Sequence, residues 1–357
     1  MTKEKVYEHI KRSLIQRISG GELIPGDRVP SEYELVEEFK VSRNQTRQAL
    51  RELELEGWLV RQQGKGTFVA EKPGVADGLG IRLGQKTVAI AFPVYNSAYG
   101  RRLMEGMMRA LADNGYQAVI YNLRMDDESE FRFLTDIQVS GVDGLILWPQ
   151  HCGERIRQLM KLAAERDFPL VLVDRYLPGV DVDFVVTDNE DLGYRLTKVL
   201  LERGHKRVGF AGENDRITSI EERFEGYLRA MQEAGIEPDS SWRIAVHSGV
   251  VDESGLHALM AHKDPPPAFF CLHDATAVCL RDALKKLGYE VPQDIELSST
   301  DDDHFASDGN CAVATLEQDA QAMGRQSAEL LLARIRESGR TLEQRFLPAS
   351  ELKIYGM

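Results

Sequence analysis

Apolar residues recur at Val6, Ile10, Leu14 and Ile18 across KEKVYEHIKRSLIQRIS, a spacing that predicts an amphipathic helix stopping at Gly20-Gly21. The turn PGDRVP follows. Ser31 with Glu34 has the spacing of a capping box and opens a second helix whose Leu35 and Phe39 face inward. Ser42 and Gln45 repeat the signal for a third helix, which Gly57 ends. At about 100° per residue, Thr46, Ala49, Leu50 and Leu53 share one arc of that helix, and Arg43, Asn44, Arg47, Gln48 and Arg51 share the opposite one. WLVRQQGKGTFVA then supplies two short β-rich runs around Gly64-Lys65-Gly66, a hairpin with a cationic tip. Three helices followed by a β-hairpin is the plan of a winged helix-turn-helix.

Residues 72–86 are rich in glycine and poor in large apolar side chains, as expected of a connector. Gly78-x-Gly80 fails as a dinucleotide fingerprint, because Leu83 stands where the last glycine belongs and no strand precedes it. From Thr87 onward, apolar runs alternate with amphipathic helices: TVAIAF, QAVIYN, DGLILW, PLVLVDR and DFVVTD, then RVGFAG, RIAVH, AFFCLH and IELSST. Two such βα series predict two similar lobes built on parallel sheets covered on both faces. The last helix, in QDAQAMGRQSAELLLARIRES, and the strand in RFLPASELKIYG are expected to complete the second lobe. The fold class is therefore α/β: a winged helix-turn-helix over 1–71, a connector over 72–86, and a two-lobed periplasmic-binding-protein-like domain over 87–357. Open α/β sheets bind ligands beyond the carboxyl ends of their strands, which points to the cleft between the lobes.

With 43% hydrophobic and 28% charged residues the chain has the composition of a soluble globular protein. Its net charge of -13 argues against polyanion binding until the distribution is considered: residues 1–72 are nearly balanced, at 13 basic and 12 acidic, so any such contact belongs there. Cys152, Cys271, Cys279 and Cys311 form no C-x-x-C pair and no metal-ligand spacing, which suits reduced thiols. No apolar signal core opens the chain and no run approaches the ~18 apolar residues of a membrane span, so a cytoplasmic location without membrane contact is expected.

Charge on an outer helix face is ordinarily a solvated surface. Here Arg43, Arg47 and Arg51 lie on the third helix of a tri-helical unit, beside a second cationic element at Arg61 and Lys65, and arginine suits both phosphates and guanine edges in a major groove. Double-stranded DNA is the expected partner. Residues 5–71 closely resemble the GntR-type winged-helix domain of bacterial regulators through PGDRVPSEYELVEEFKVSRNQTRQALRELELEGWLVRQQGKGTFV. The resemblance implies that Arg43, Asn44, Gln45 and Arg47 reach the groove, with Gly64 at the wing tip and Lys65 beside it. Tyr33 stands where many members carry arginine, a departure from the pattern in the second helix.

Residues 86–357 resemble the effector domain of LacI/GalR repressors, itself similar to periplasmic sugar-binding proteins, through LVDRY, VVTDNEDLGYRLTKVLLERGHKRVGFAG, SIEERFEGYLRAMQEAGI, PPPAFFCLHDATAVCLRDALKKLGYEVPQDIELSSTDD and ATLEQDAQAMG. The family's hinge helix has no counterpart. The likeness implies effector roles for Arg223, three residues before Gly226, for Asp301 and Asp274, and more weakly for Gln318 and Asp188. Each has an ordinary alternative: for Arg223 a surface salt bridge with Glu222 or Glu225, for Asp301 a polar turn, for Asp274 a helix cap, with His273 before it where asparagine is usual. Trp148 follows a strand end and suits stacking on a sugar or packing in the rim; Tyr95 and Asn96 end the first strand.

Acidic acceptors and an arginine fork in one cleft suit a neutral, hydroxyl-rich effector, a sugar, with a nucleoside or another small metabolite as the alternative. The resulting expectation is a homodimeric repressor on a palindromic operator, released by its effector, the opposite sign being the alternative. An enzyme is not expected, and neither is a cofactor or metal: adjacent side chains in Asp301-Asp302-Asp303-His304 point in different directions and cannot all ligate one ion.

Overall fold

The periodic apolar stripe of the first segment forms helix α1, Val6–Ser19, followed by α2, Glu32–Phe39, α3, Arg43–Leu55, and an antiparallel hairpin of β1, Leu59–Gln62, and β2, Gly66–Val69. The computed structural model describes residues 6–55, 57–62, 65–70, 86–93, 97–123, 127–138, 140–151, 153–213, 217–247, 249–300, 313–350 and 352–355. Ile10, Leu14, Ile18, Leu35, Ala49, Leu50 and Leu53 pack with Leu59 and Val69 in one core. Burying each of the large side chains contributes roughly 1.5–3 kcal/mol. Ser31 and Glu34 close both halves of the capping box, at 3.3 and 2.7 Å.

The chain divides into two compact units, Met1–Ala89 with Arg132–Asp143, and Ile90–Phe131 with Gly144–Met357. The later strands are β3, Thr87–Phe92, β4, Gln117–Asn122, β5, Gly144–Leu147, β6, Leu170–Val173, β7, Asp183–Thr187, β8, Val208–Gly212, β9, Arg243–His247, β10, Val250–Val251, β11, Ala268–Cys271, β12, Glu296–Thr300, β13, Ala314–Leu316, β14, Gln344–Leu347, and β15, Leu352–Ile354. The helices among them are α4, Ala98–Asp113, α5, Asp127–Ile137, α6, Glu154–Glu165, α7, Asn189–Glu202, α8, Thr218–Glu233, α9, Glu253–Met260, α10, Asp274–Lys286, and α11, Ala320–Arg336.

Two sheets result, in the orders β14-β7-β6-β5-β3-β4 and β10-β9-β8-β11-β12-β13-β15. Their inner neighbours β5–β6–β7 and β9–β8–β11–β12–β13 run parallel. Every residue of β5, β6, β8 and β11 is buried, which is why these strands read as unbroken apolar runs rather than as alternation.

The end of the chain departs from expectation. α11 and β14 complete the first lobe, not the second: β14 pairs with β7, and the guanidinium of Arg334 on α11 binds the Asp183 carboxylate. Only β15 joins the second sheet, beside β13. Periodicity states an element's type but not which of two equivalent sheets receives it, and the chain crosses between lobes more than once. The crossings are tied together, Thr187 Oγ1 donating to Gln318 Oε1 at 2.7 Å, Asp188 N to the Leu347 carbonyl at 2.8 Å and Ser350 N to the Glu317 carbonyl at 2.9 Å.

Each lobe contains one very close helix pair made possible by glycine. A Cβ at Gly324 of α11 would stand 2.0 Å from the Leu103 carbonyl of α4, and one at Gly193 of α7 would stand 2.1 Å from the Arg223 carbonyl of α8. The second pair sets the position of the Arg223 backbone.

Candidate functional site

The first site is the outward face of α3. Arg43, Asn44, Arg47 and Arg51 are exposed there, while Thr46, Ala49, Leu50 and Leu53 are buried beneath. The two arginines nearest the helix start are not loose. Glu32, the first residue of α2, accepts from Arg47 Nε and Nη2, both at 3.2 Å, and from Arg43 Nε at 3.1 Å. This fork holds the Glu32 carboxyl below the ordinary glutamate range, through the Arg47 hydrogen bonds above all, and raises the Arg47 guanidinium further. Arg43 and Arg47 nevertheless keep 70% and 54% of their side-chain surface, so both remain presented to solvent. Gln45 is turned back: its Oε1 accepts from the Ser42 amide at 3.1 Å and hydroxyl at 3.0 Å, spending its oxygen on the helix start. Lys65 is exposed at the wing, and Gly64 lies outside the described residues.

The second site lies at the carboxyl ends of the two sheets. Arg223 is 6% exposed and meets neither Glu222 nor Glu225 in an ion pair among the described residues, so the surface-bridge alternative is set aside. Its Nε donates to Asn189 Oδ1 at 2.9 Å, and Nη1 donates to the Leu272 carbonyl at 2.9 Å and Thr300 Oγ1 at 3.1 Å. All these acceptors are neutral, so among the described residues they orient the guanidinium without pairing it with a carboxylate. His273, not Asp274, caps α10, its Nδ1 accepting from the Thr276 amide at 3.1 Å. Burial, then the charges of Arg223 and Arg175, push the imidazole down to about 4, so it stays neutral. Asp274 is buried as the first residue of α10, its Oδ1 accepting from the Ala275 amide at 2.7 Å.

On the first lobe, Trp148 stacks parallel to Phe92 with centroids 6.5 Å apart, meets the Tyr99 edge at 5.7 Å, and has the Arg175 guanidinium 5.7 Å from its ring. Asp174 takes φ +69, a left-handed conformation costly for a residue with a Cβ; it accepts from Tyr99 Oη at 2.5 Å and pairs with Arg175 Nε at 3.2 Å. Gln318 is buried at the crossing, and Asp188 caps α7 by accepting from the Asp191 amide at 3.0 Å. Tyr95, Asn96 and Asp301 lie outside the described residues.

Asn189, Thr300, Arg175 and Asp174 escaped sequence reasoning. Asn189 directly follows Asp188 in TDN and Arg175 stands within LVDRY, so the motifs flagged the segments but not the side chains that turn inward.

Residues 6–69 match the family of bacterial regulatory proteins called gntR, and residues 197–354 match the periplasmic binding protein-like domain. The chain therefore joins a gntR-type regulatory domain to a periplasmic binding protein-like domain. The arabinose metabolism transcriptional repressor of Geobacillus stearothermophilus is 27% identical to the regulator over 341 residues, covering 93% of this chain and 91% of that one. The ribose operon repressor of Haemophilus influenzae is 28% identical over 265 residues, covering 72% and 77%. Among solved structures, the transcriptional regulator CelR in complex with cellobiose matches with a TM-score of 0.67 at 23% identity, over 88% of the regulator and 91% of that chain. Along the regulator, no described helix is long and apolar enough to cross a membrane.

Proposed function

We propose that the regulator is a cytoplasmic homodimer that represses transcription from a palindromic operator and leaves it when a small neutral sugar enters the cleft. Arg43, Asn44 and Arg47 are assigned to the groove, with the remaining amide of Gln45 at its edge and Gly64 and Lys65 on the adjoining backbone. Arg223, Asp274, Trp148 and Gln318, with Tyr95, Asn96 and Asp301, are assigned to the effector.

One observation carries the reading: a buried arginine at the strand ends of the second lobe, held among the described residues by neutral acceptors, with the Trp148 indole following β5 on the first lobe. A guanidinium so held can donate to two neighbouring hydroxyls while an aromatic face covers the apolar side of a sugar ring. The relatives' names point the same way, to arabinose, ribose and cellobiose. Transmission to DNA follows from linkage: a sugar that binds one lobe arrangement better than another shifts operator affinity by the difference, typically about 5–150-fold. A duplex selected from random-sequence DNA and titrated with the regulator, with and without L-arabinose, D-ribose and cellobiose, tests this; release by one sugar is expected, and enhanced binding would reverse the sign.

A further inference from the structure

Glu222 neighbours Arg223 in the chain, yet its partners lie elsewhere. Its Oε1 accepts from Tyr176 Oη, which follows β6 on the first lobe, at 2.6 Å. Its other oxygen accepts from Asn189 Nδ2 at 3.3 Å. The same Asn189 nitrogen donates to the Thr187 carbonyl at 3.0 Å. Two acceptors therefore face one end of the Asn189 amide, and a flipped amide would set oxygen against both. This leaves Oδ1 turned toward Arg223 Nε, 2.9 Å away. Tyr176 is also fastened to the start of α8 through its backbone: its amide donates to Thr218 Oγ1 at 3.3 Å, and that hydroxyl donates back to the Tyr176 carbonyl at 3.1 Å.

We propose that Glu222 is a positioning residue that couples the placement of the first lobe, through Tyr176, to the orientation of Arg223, through Asn189. The inference rests on the reading that Arg223 holds the effector. A movement of the lobes that draws Tyr176 from α8 leaves Glu222 with one donor, loosens its hold on Asn189, and frees Arg223 to turn. Conversely, an effector that fixes Arg223 tightens the same series and stabilises the Tyr176 contact, as reciprocity requires. Burial raises the Glu222 carboxyl above the ordinary glutamate range, opposed by the Tyr176 and Asn189 hydrogen bonds; its charged form depends on those two donors.

The arginine Nε–H signals of the full-length, nitrogen-15-labelled protein test the coupling directly. The Arg223 signal is identified by its loss in Arg223→Lys. In Tyr176→Phe, which removes a hydroxyl bonded to Glu222 rather than to Arg223 or Asn189, that proton should exchange with solvent roughly fivefold faster, as for one lost hydrogen bond. Glu222→Gln should have at least as large an effect, and adding Tyr176→Phe to it should change nothing further. An Arg223 signal unmoved by Tyr176→Phe, or additive effects in the double variant, would overturn the coupling. L-Arabinose, D-ribose and cellobiose are added to the unsubstituted protein in parallel. If one slows Arg223 exchange while Tyr176→Phe has no effect, the coupling fails and the sugar reading stands. If Tyr176→Phe acts while no sugar does, the coupling stands and the sugar reading fails.

Discussion

Glu32 and Arg47 meet through two hydrogen bonds of 3.2 Å, joining the first turn of α2 to the exposed face of α3. If α3 enters the groove as proposed, the pairing fixes the direction of the guanidinium before DNA arrives, at the cost of placing a carboxylate beside the phosphates. Glu32→Gln should therefore raise affinity for unrelated duplexes and lower preference for the operator, by roughly three- to tenfold in the ratio. Competition binding with specific and random DNA measures it; an unchanged ratio would separate Glu32 from recognition.

Arg47→Ala should weaken operator binding roughly 5–150-fold if its fork reads a base, while random-sequence affinity falls far less. Operator affinity should also fall steeply with salt, the logarithmic slope giving about 0.9 per phosphate neutralised. A flat salt dependence would be incompatible with phosphate anchoring.

Gly193→Ala places a methyl group where the Arg223 carbonyl already stands, 2.1 Å from the added carbon. Forcing α7 and α8 apart should cost about 1–3 kcal/mol and displace Arg223. Calorimetry should show a melting point lower by several degrees, together with a blunted effector response; an unchanged melting point would mean the helices separate without strain.

His273 supplies a pH dependence whose direction is fixed by burial. Its folded-state value of about 4 lies below the ordinary 6.5, so between those pH values the unfolded chain binds the extra proton. Stability from this group is present above about pH 6.5 and is lost as pH falls toward 4, by roughly 3 kcal/mol. Asparagine also caps helices, so His273→Asn should keep α10 intact and flatten urea-unfolding stability across that window. A slope unchanged by the substitution would place the titration elsewhere.

The order of elements was legible in the sequence because each rule there is local. Alternation of apolar runs with helices located TVAIAF and QAVIYN to the residue, and the Ser31–Glu34 spacing marked the start of α2. The lobe that receives α11 and β14 was not legible, because both sheets offer the same buried edge chemistry and only three-dimensional crossing decides. The same division holds in the cleft. Arg223 stood out by position, but Asn189, Thr300 and Tyr176, which orient it or its neighbours, come from segments far apart in the chain. At α3 the exposed arginines were legible, whereas Glu32, eleven residues from Arg43, could be seen to pair with them only once α2 and α3 had packed.

The central claim, that a sugar bound at Arg223 controls the grip of α3 on DNA, is tested most directly by fluorescence anisotropy of a labelled operator bound to the unsubstituted protein and to Arg223→Lys. Lysine keeps the charge but lacks the planar fork. Both proteins should bind the operator equally without sugar, and only the unsubstituted one should release it when the effective sugar is added. Release of the operator from Arg223→Lys at the same sugar concentration would contradict the account.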